Sequence, residues 1–108
     1  MTEELNRILV VDDNPEILKD LATLLTLHQY QVDTTTSGCE AIRKLRKICY
    51  DLVICDIEIP DINGLDFLEK LRNNNWSQEV IIITGYLEQD YFLRALRLGA
   101  ADFISKPI

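Results

Sequence analysis

Five short apolar runs recur along the chain, each separated from the next by a length that fits a helix. They are Arg7–Val11 (RILVV), Gln31–Thr35 (QVDTT), Leu52–Asp56 (LVICD), Val80–Thr84 (VIIIT) and Asp102–Ser105 (DFIS). The first, third and fourth are nearly continuous in aliphatic and β-branched residues, as strands buried on both faces are. Gln31–Thr35 alternates and is rich in threonine, so it reads as an edge-like strand. The segments between them predict helices from Pro15 to about His28, from Ser37-Gly38 to about Ile48, from Leu65 to about Asn73, and from Leu87 to Leu98. Strands spaced by helices predict an α/β fold with a parallel sheet and right-handed crossovers. The 108 residues make one domain, 1–108, with five strands and only four helices.

Local punctuation supports these bounds. Asn14-Pro15 supplies an N-cap and a proline at the first helical position, and Gly99 suits a left-handed helix end. Ile17, Leu18, Leu21, Leu24, Leu25 and Leu27 give the first helix a broad apolar face. Ala41, Ile42, Leu45 and Ile48 do the same for the second, whose Arg43, Lys44, Arg46 and Lys47 read as a solvated face. The one histidine, His28, sits near a helix end and reads as a surface residue. Trp76 reads as a packing lid. Three cysteines without paired metal spacing fit reduced thiols and a cytoplasmic protein, with Cys55 packed inside a strand. No run approaches the roughly 20 apolar residues of a membrane span, and MTEELNR does not resemble a signal peptide. A net charge of −7 argues against direct nucleic-acid binding, because little here neutralises phosphate.

The chemistry sits just past the strands. The first ends in Asp12-Asp13, the third in Asp56, the fourth in Thr84 and the fifth in Lys106. In a parallel sheet these ends share one edge, where open α/β folds bind their ligands. Taken singly, Asp12 and Asp13 serve as caps, Thr84 as a turn and Lys106 as a surface cation. Taken together, they place three carboxylates, a hydroxyl and an ammonium in one crevice. Three carboxylates repel one another, and a divalent cation relieves that. Oxygen ligands with open positions suit Mg²⁺, which favours a phosphate as co-ligand. Thr84 and Lys106 would then neutralise phosphoryl oxygens. A carboxylate is also a competent nucleophile toward phosphorus, and central Asp56 is the candidate.

With these residues in view, the whole chain resembles the receiver domain of two-component response regulators, a flavodoxin-like family. The resemblance rests on Asp12-Asp13, on Asp56 with Pro60 and Gly64 downstream, and on Thr84-Gly85, Gly99-Ala100 and Lys106-Pro107. It implies a doubly wound sheet of order 2-1-3-4-5. It implies a phospho-acceptor, Asp56, served by a histidine kinase or phosphotransfer protein, and a signalling module rather than a turnover enzyme. Mg²⁺ would be held by Asp13 and Asp56, by Asp12 through water, and by the backbone carbonyl of Glu58. Thr84 and Lys106 would bind the phosphoryl oxygens, and a cis peptide is implied before Pro107. Phosphorylation would draw Thr84 inward, let Phe103 rotate, and change the surface of the fourth helix and fifth strand for an output domain or partner protein.

The departures from the pattern are also informative. Phe103 stands where many receivers carry tyrosine, so any latch there lacks a hydroxyl; a plain core phenylalanine is the other reading. Glu58, two residues past the acceptor, is expected to tune the lifetime of the phosphate. Tyr86, two past Thr84, either shields the phosphate or packs on the fourth helix. A fifth helix normally follows the Lys-Pro strand, and it is absent from this sequence. This leads to the expectation of a longer parent protein, or of a homodimer covering the bare sheet face. A Mg²⁺-dependent phosphatase with Asp56 as nucleophile, and a flavin module on the same fold, are the competing classes. The receiver fits the hydroxyl and lysine positions better than the first. The acidic crevice disfavours the second.

Overall fold

The computed structural model describes residues 6–85 and 89–106. The strands are β1 (Arg7–Val11), β2 (Gln31–Thr35), β3 (Leu52–Asp56), β4 (Val80–Thr84) and β5 (Asp102–Ser105). The helices are α1 (Pro15–Leu27), α2 (Gly38–Lys47), α3 (Gly64–Asn73) and α4 (Gln89–Arg97). All strand pairs are parallel, and the order is β2-β1-β3-β4-β5, as the resemblance implies.

Side chains alternate between the two faces of the sheet. Leu9, Val11, Val53, Cys55, Val80 and Ile82 join the larger core with residues of α2, α3 and α4. Ile8 and Val10 join a smaller core with Leu18, and Leu21, Leu25, Val32, Leu52 and Ile54 pack against it. The α1 face is the thinner one. Only a stripe of α1's apolar face reaches the sheet. Leu24 is half exposed and Leu27 lies largely in solvent, because both sit one step round from the Leu18–Leu21–Leu25 stripe. Ile104 of β5 is also exposed.

Helix ends follow the local signals. The Asn14 side chain accepts from the N–H groups of Glu16 and Ile17, and Pro15 opens α1. The Asn63 side chain caps α3 through the N–H of Leu65. His28 is exposed at the α1 C-cap. Asn75 (φ 58°) follows α3 and Gly99 (φ 74°) follows α4, both in the left-handed region that asparagine and glycine tolerate. Trp76 packs on the larger core, as expected of a lid.

Arg72 binds the loops at the sheet end opposite the carboxylates. Its guanidinium donates to the carbonyls of Leu98 (2.7 Å), Trp76 (2.7 Å), Gln78 (2.9 Å) and Gly99 (3.3 Å). Those carbonyls belong to the α3–β4 and α4–β5 connections, so one cation fixes where β4 and β5 begin. Hydrogen bonds from a charged donor are worth more than neutral ones. Arg72→Ala is expected to cost about 2–4 kcal/mol in urea unfolding; a cost below about 0.5 kcal/mol, typical of a surface substitution, would contradict this role.

Candidate functional site

Asp12, Asp56, Thr84 and Lys106 each stand at, or one residue past, the end of a strand, and the hydrogen-bond ladder extends beyond the strands there. The N–H of Asp12 donates to Thr35 O (3.2 Å), that of Ile57 to Ile83 O (3.1 Å), and that of Lys106 to Thr84 O (2.7 Å). The three charged residues, Asp12, Asp56 and Lys106, follow the α1-side residues Val10, Ile54 and Ile104 by two positions. They therefore continue the same face of the sheet.

The ammonium of Lys106 lies 3.0 Å from Asp56 Oδ2 and 3.1 Å from Asp12 Oδ2. Asp12 is fully buried and Asp56 nearly so, at 0% and 3% exposure. The other oxygens have backbone donors. Asp12 Oδ1 accepts from the N–H of Asn14 (2.9 Å), and Asp56 Oδ1 from the N–H of Glu58 (3.2 Å). Asp12 Oδ2 has the ammonium near it but no hydrogen bond of good geometry. Burial raises the Asp56 carboxyl above the ordinary range, with the Asp12 carboxylate adding to it, against the lowering effect of Lys106 and the Glu58 amide. Burial pulls Lys106 down, but the Asp56 and Asp12 carboxylates beside it outweigh this and hold it above the usual lysine range.

Asp13 is exposed at the rim. One oxygen from each of Asp12, Asp13 and Asp56 lies within 4.8 Å of the others. An all-carboxylate set with an under-satisfied buried oxygen fits a hard divalent cation. Asp13 and Glu58 also line an open cleft of about 520 Å³ with Ile57, Ile59, Pro60, Asp61, Ile62 and Asn63. The Glu58 side chain is exposed.

Close packing behind Asp56 depends on a glycine. A Cβ on Gly64 would lie 2.2 Å from the carbonyl oxygen of Asp56, and the Gly64 N–H donates to Ile57 O at 2.7 Å. The β3–α3 loop can turn back this tightly only without a side chain there. Thr84 is fully buried at the end of β4. It alternates with Val80 and Ile82, toward the α2–α4 side. Phe103 pairs with Ile82 in register, so it shares that side. It packs on the larger core and meets Phe92 of α4 edge-on, with centroids 5.6 Å apart. Cys55 is fully buried, and burial raises its thiol, which fits packing rather than reactivity. Tyr86 and Pro107, both singled out in the sequence, lie outside the described residues.

Sequence reasoning did not find Phe92, Asp61, or Arg94, which pairs across to Asp66 and Glu69 of α3 at 2.5 and 2.6 Å. Their partners lie 22–28 residues away or on another element. Neither periodicity nor local motifs signal such contacts.

Known proteins resemble this chain in both sequence and fold. A profile of the response regulator receiver domain family matches residues 8–108. The transcriptional regulatory protein ZraR of Klebsiella oxytoca is 36% identical over 108 residues, which is 100% of this chain and 24% of that protein. KdpE of Mycobacterium tuberculosis is 38% identical over 101 residues, 93% of this chain and 44% of that protein. The chain thus spans less than half the length of these curated relatives. A CheY-like receiver domain protein from Methanospirillum hungatei superposes with a TM-score of 0.91 at 31% identity, covering 97% of this chain and 84% of that one. The response regulator TrrA of Thermotoga maritima, solved in complex with Mg(2+)-BeF, gives a TM-score of 0.85 at 36% identity, covering 96% and 89%.

The raised Asp56 carboxyl carries a stability consequence. Its ionised form costs folding free energy above its raised pKa, and the cost vanishes as pH falls toward the unfolded value of about 3.9. In Mg²⁺-free buffer, Asp56→Asn is expected to raise the urea midpoint at pH 7, by an amount that shrinks as the pH approaches 4. A variant less stable than wild type at pH 7 would contradict the charge balance described for this site.

Proposed function

Since the chain belongs to the response regulator receiver domain family, we propose that it accepts a phosphoryl group on Asp56 from a histidine kinase or phosphotransfer protein. The observation that carries this reading is the Lys106 ammonium set 3.0 and 3.1 Å from the buried carboxylates of Asp56 and Asp12. That arrangement concentrates negative charge that a cation completes, beside a positive group that a phosphoryl oxygen can take over.

Asp12, Asp13 and Asp56, with the backbone carbonyl of Glu58, would hold Mg²⁺. When bound, Mg²⁺ neutralises carboxylate and phosphoryl charge together. A carboxylate oxygen of Asp56 attacks phosphorus in line as the bond from phosphorus to the donor's imidazole nitrogen breaks. The leaving imidazole keeps the electron pair and then takes a proton. Lys106 exchanges its contact with Asp56 for one with a phosphoryl oxygen, and the Thr84 hydroxyl donates to another. The Glu58 side chain, exposed at the mouth, is placed to influence the approach of hydrolytic water and so the phosphate lifetime.

Movement of Thr84 toward the phosphoryl group opens space on the sheet face that it shares with Phe103. Phe103 has no hydroxyl, so its coupling is steric, and its edge contact with Phe92 carries the change to α4. The partner proposed to read α4 and β5 is an output domain or protein, in keeping with relatives that are transcriptional regulators. A homodimer over the thinly covered α1 face, where Leu24, Leu27 and Ile104 are exposed, belongs to the same proposal. One structurally similar protein, the NtrC4 receiver domain, is described as a beryllofluoride-activated dimer.

Intact-mass spectrometry after incubation with Mg²⁺ and acetyl phosphate tests the acceptor. One phosphoryl adduct is expected on wild type, dependent on Mg²⁺ and missing from Asp56→Asn. An equal adduct on the variant, or none on folded wild type, would overturn the assignment.

A further inference from the structure

The loop that carries Glu58 is fastened to a helix that contributes nothing else to the site. At the start of α2, the Ser37 side chain accepts from the Glu40 N–H at 3.1 Å. The next amides go elsewhere. Gly38 N–H donates to Asp61 Oδ1 and Cys39 N–H to Asp61 Oδ2, both at 2.9 Å, while the Ser37 hydroxyl donates to Oδ2 at 2.8 Å. Asp61 lies in the β3–α3 loop, three residues past Glu58. Its carboxylate therefore caps a helix formed more than twenty residues earlier, where the helix dipole also favours negative charge. Donation from the Cys39 amide, then from Gly38 and Ser37, holds its carboxyl well below the usual range.

A second, apolar fastening lies beside it. A Cβ on Gly38 would sit 2.1 Å from Ile62 Cγ2 and 3.1 Å from Ile59 Cδ1. The loop thus rests directly on the first turn of α2, at a spacing that only glycine permits. Ile59 is buried and Ile62 packs on the larger core. At its start the loop is tied to the site itself by Glu58 N–H to Asp56 Oδ1, and at its end Gly64 N–H closes it on Ile57 O.

We infer that Asp61 is a positioning residue for the phosphoryl site: its cap on α2 sets where the backbone of Glu58 stands relative to Asp13 and Asp56. The inference rests on the proposed Mg²⁺-dependent site. Mg²⁺ demands near-ideal octahedral geometry at about 2.0–2.1 Å. A small shift of a loop that supplies one ligand therefore weakens binding, while the fold can absorb the same shift.

The test compares Asp61→Ala, Asp61→Asn and the stability control Arg72→Ala with wild type. Amide hydrogen exchange without metal reads the fastening, and Gly38 and Cys39 are expected to exchange faster in Asp61→Ala. Titration calorimetry with Mg²⁺ reads the positioning. Asp61→Ala is expected to bind about 10-fold more weakly, a loss of the size seen when groups supporting metal ligands are removed. Asp61→Asn, which keeps one acceptor oxygen, should recover part of the loss, and Arg72→Ala should match wild type. Affinity in Asp61→Ala within twofold of wild type, or an equal loss in Arg72→Ala, would overturn the inference. So would a wild type that binds no Mg²⁺. A wild type that binds Mg²⁺ but forms no Asp56 adduct would instead sink the phosphorelay reading, with the Asp61 comparison still decided by affinity.

Discussion

The ammonium of Lys106 is what allows two carboxylates to be buried side by side. Asp12 and Asp56 are almost wholly removed from water, where a charge without a counter-charge is costly. Lys106 supplies one positive charge to two negative ones, and Asp13 adds a third carboxylate at the rim. The site is therefore left negative. In the proposed phospho-acceptor, that remaining charge would draw in a cation, and the lysine would be the group that a phosphoryl oxygen recruits.

The rest of the fold serves to bring these groups together. They come from β1, β3 and the end of β5, which are separated by many residues but share one edge of a parallel sheet. The ladder hydrogen bonds beyond the strand ends fix their backbones, and Gly64 lets the chain double back against the carbonyl of Asp56. At the other end of the sheet, Arg72 gathers the loops that start β4 and β5. On the α2–α4 side, Thr84 and Phe103 share a face, and Phe103 touches Phe92. The Phe103–Phe92 contact thus ties β5 to α4 on the side of the sheet where Thr84 is buried.

Much of this was legible in the sequence because it is written locally. The strand bounds follow runs such as VIIIT, and helix starts follow Asn14-Pro15 and Ser37. Asp12, Asp13, Asp56, Thr84 and Lys106 could be grouped because strand ends in a parallel sheet share an edge. What was not legible lies in contacts between distant elements. Asp61 looks like a turn residue after Pro60, yet its partners are the amides that open α2. Arg72 looks like an ordinary cation in the last turn of a helix, yet it serves carbonyls of two loops. Periodicity predicts a broader apolar face for α1 than the sheet covers, since it cannot say that Leu24 and Leu27 point away from the sheet.

The most direct test is the Mg²⁺ affinity of Lys106→Met against wild type, by titration calorimetry at low ionic strength. If the lysine neutralises carboxylates that otherwise attract a cation, its removal leaves the site more negative, and the variant is expected to bind Mg²⁺ several-fold more tightly, about 1 kcal/mol or more. Equal or weaker binding in the folded variant would mean that the three carboxylates and Lys106 do not form one charge-balanced site.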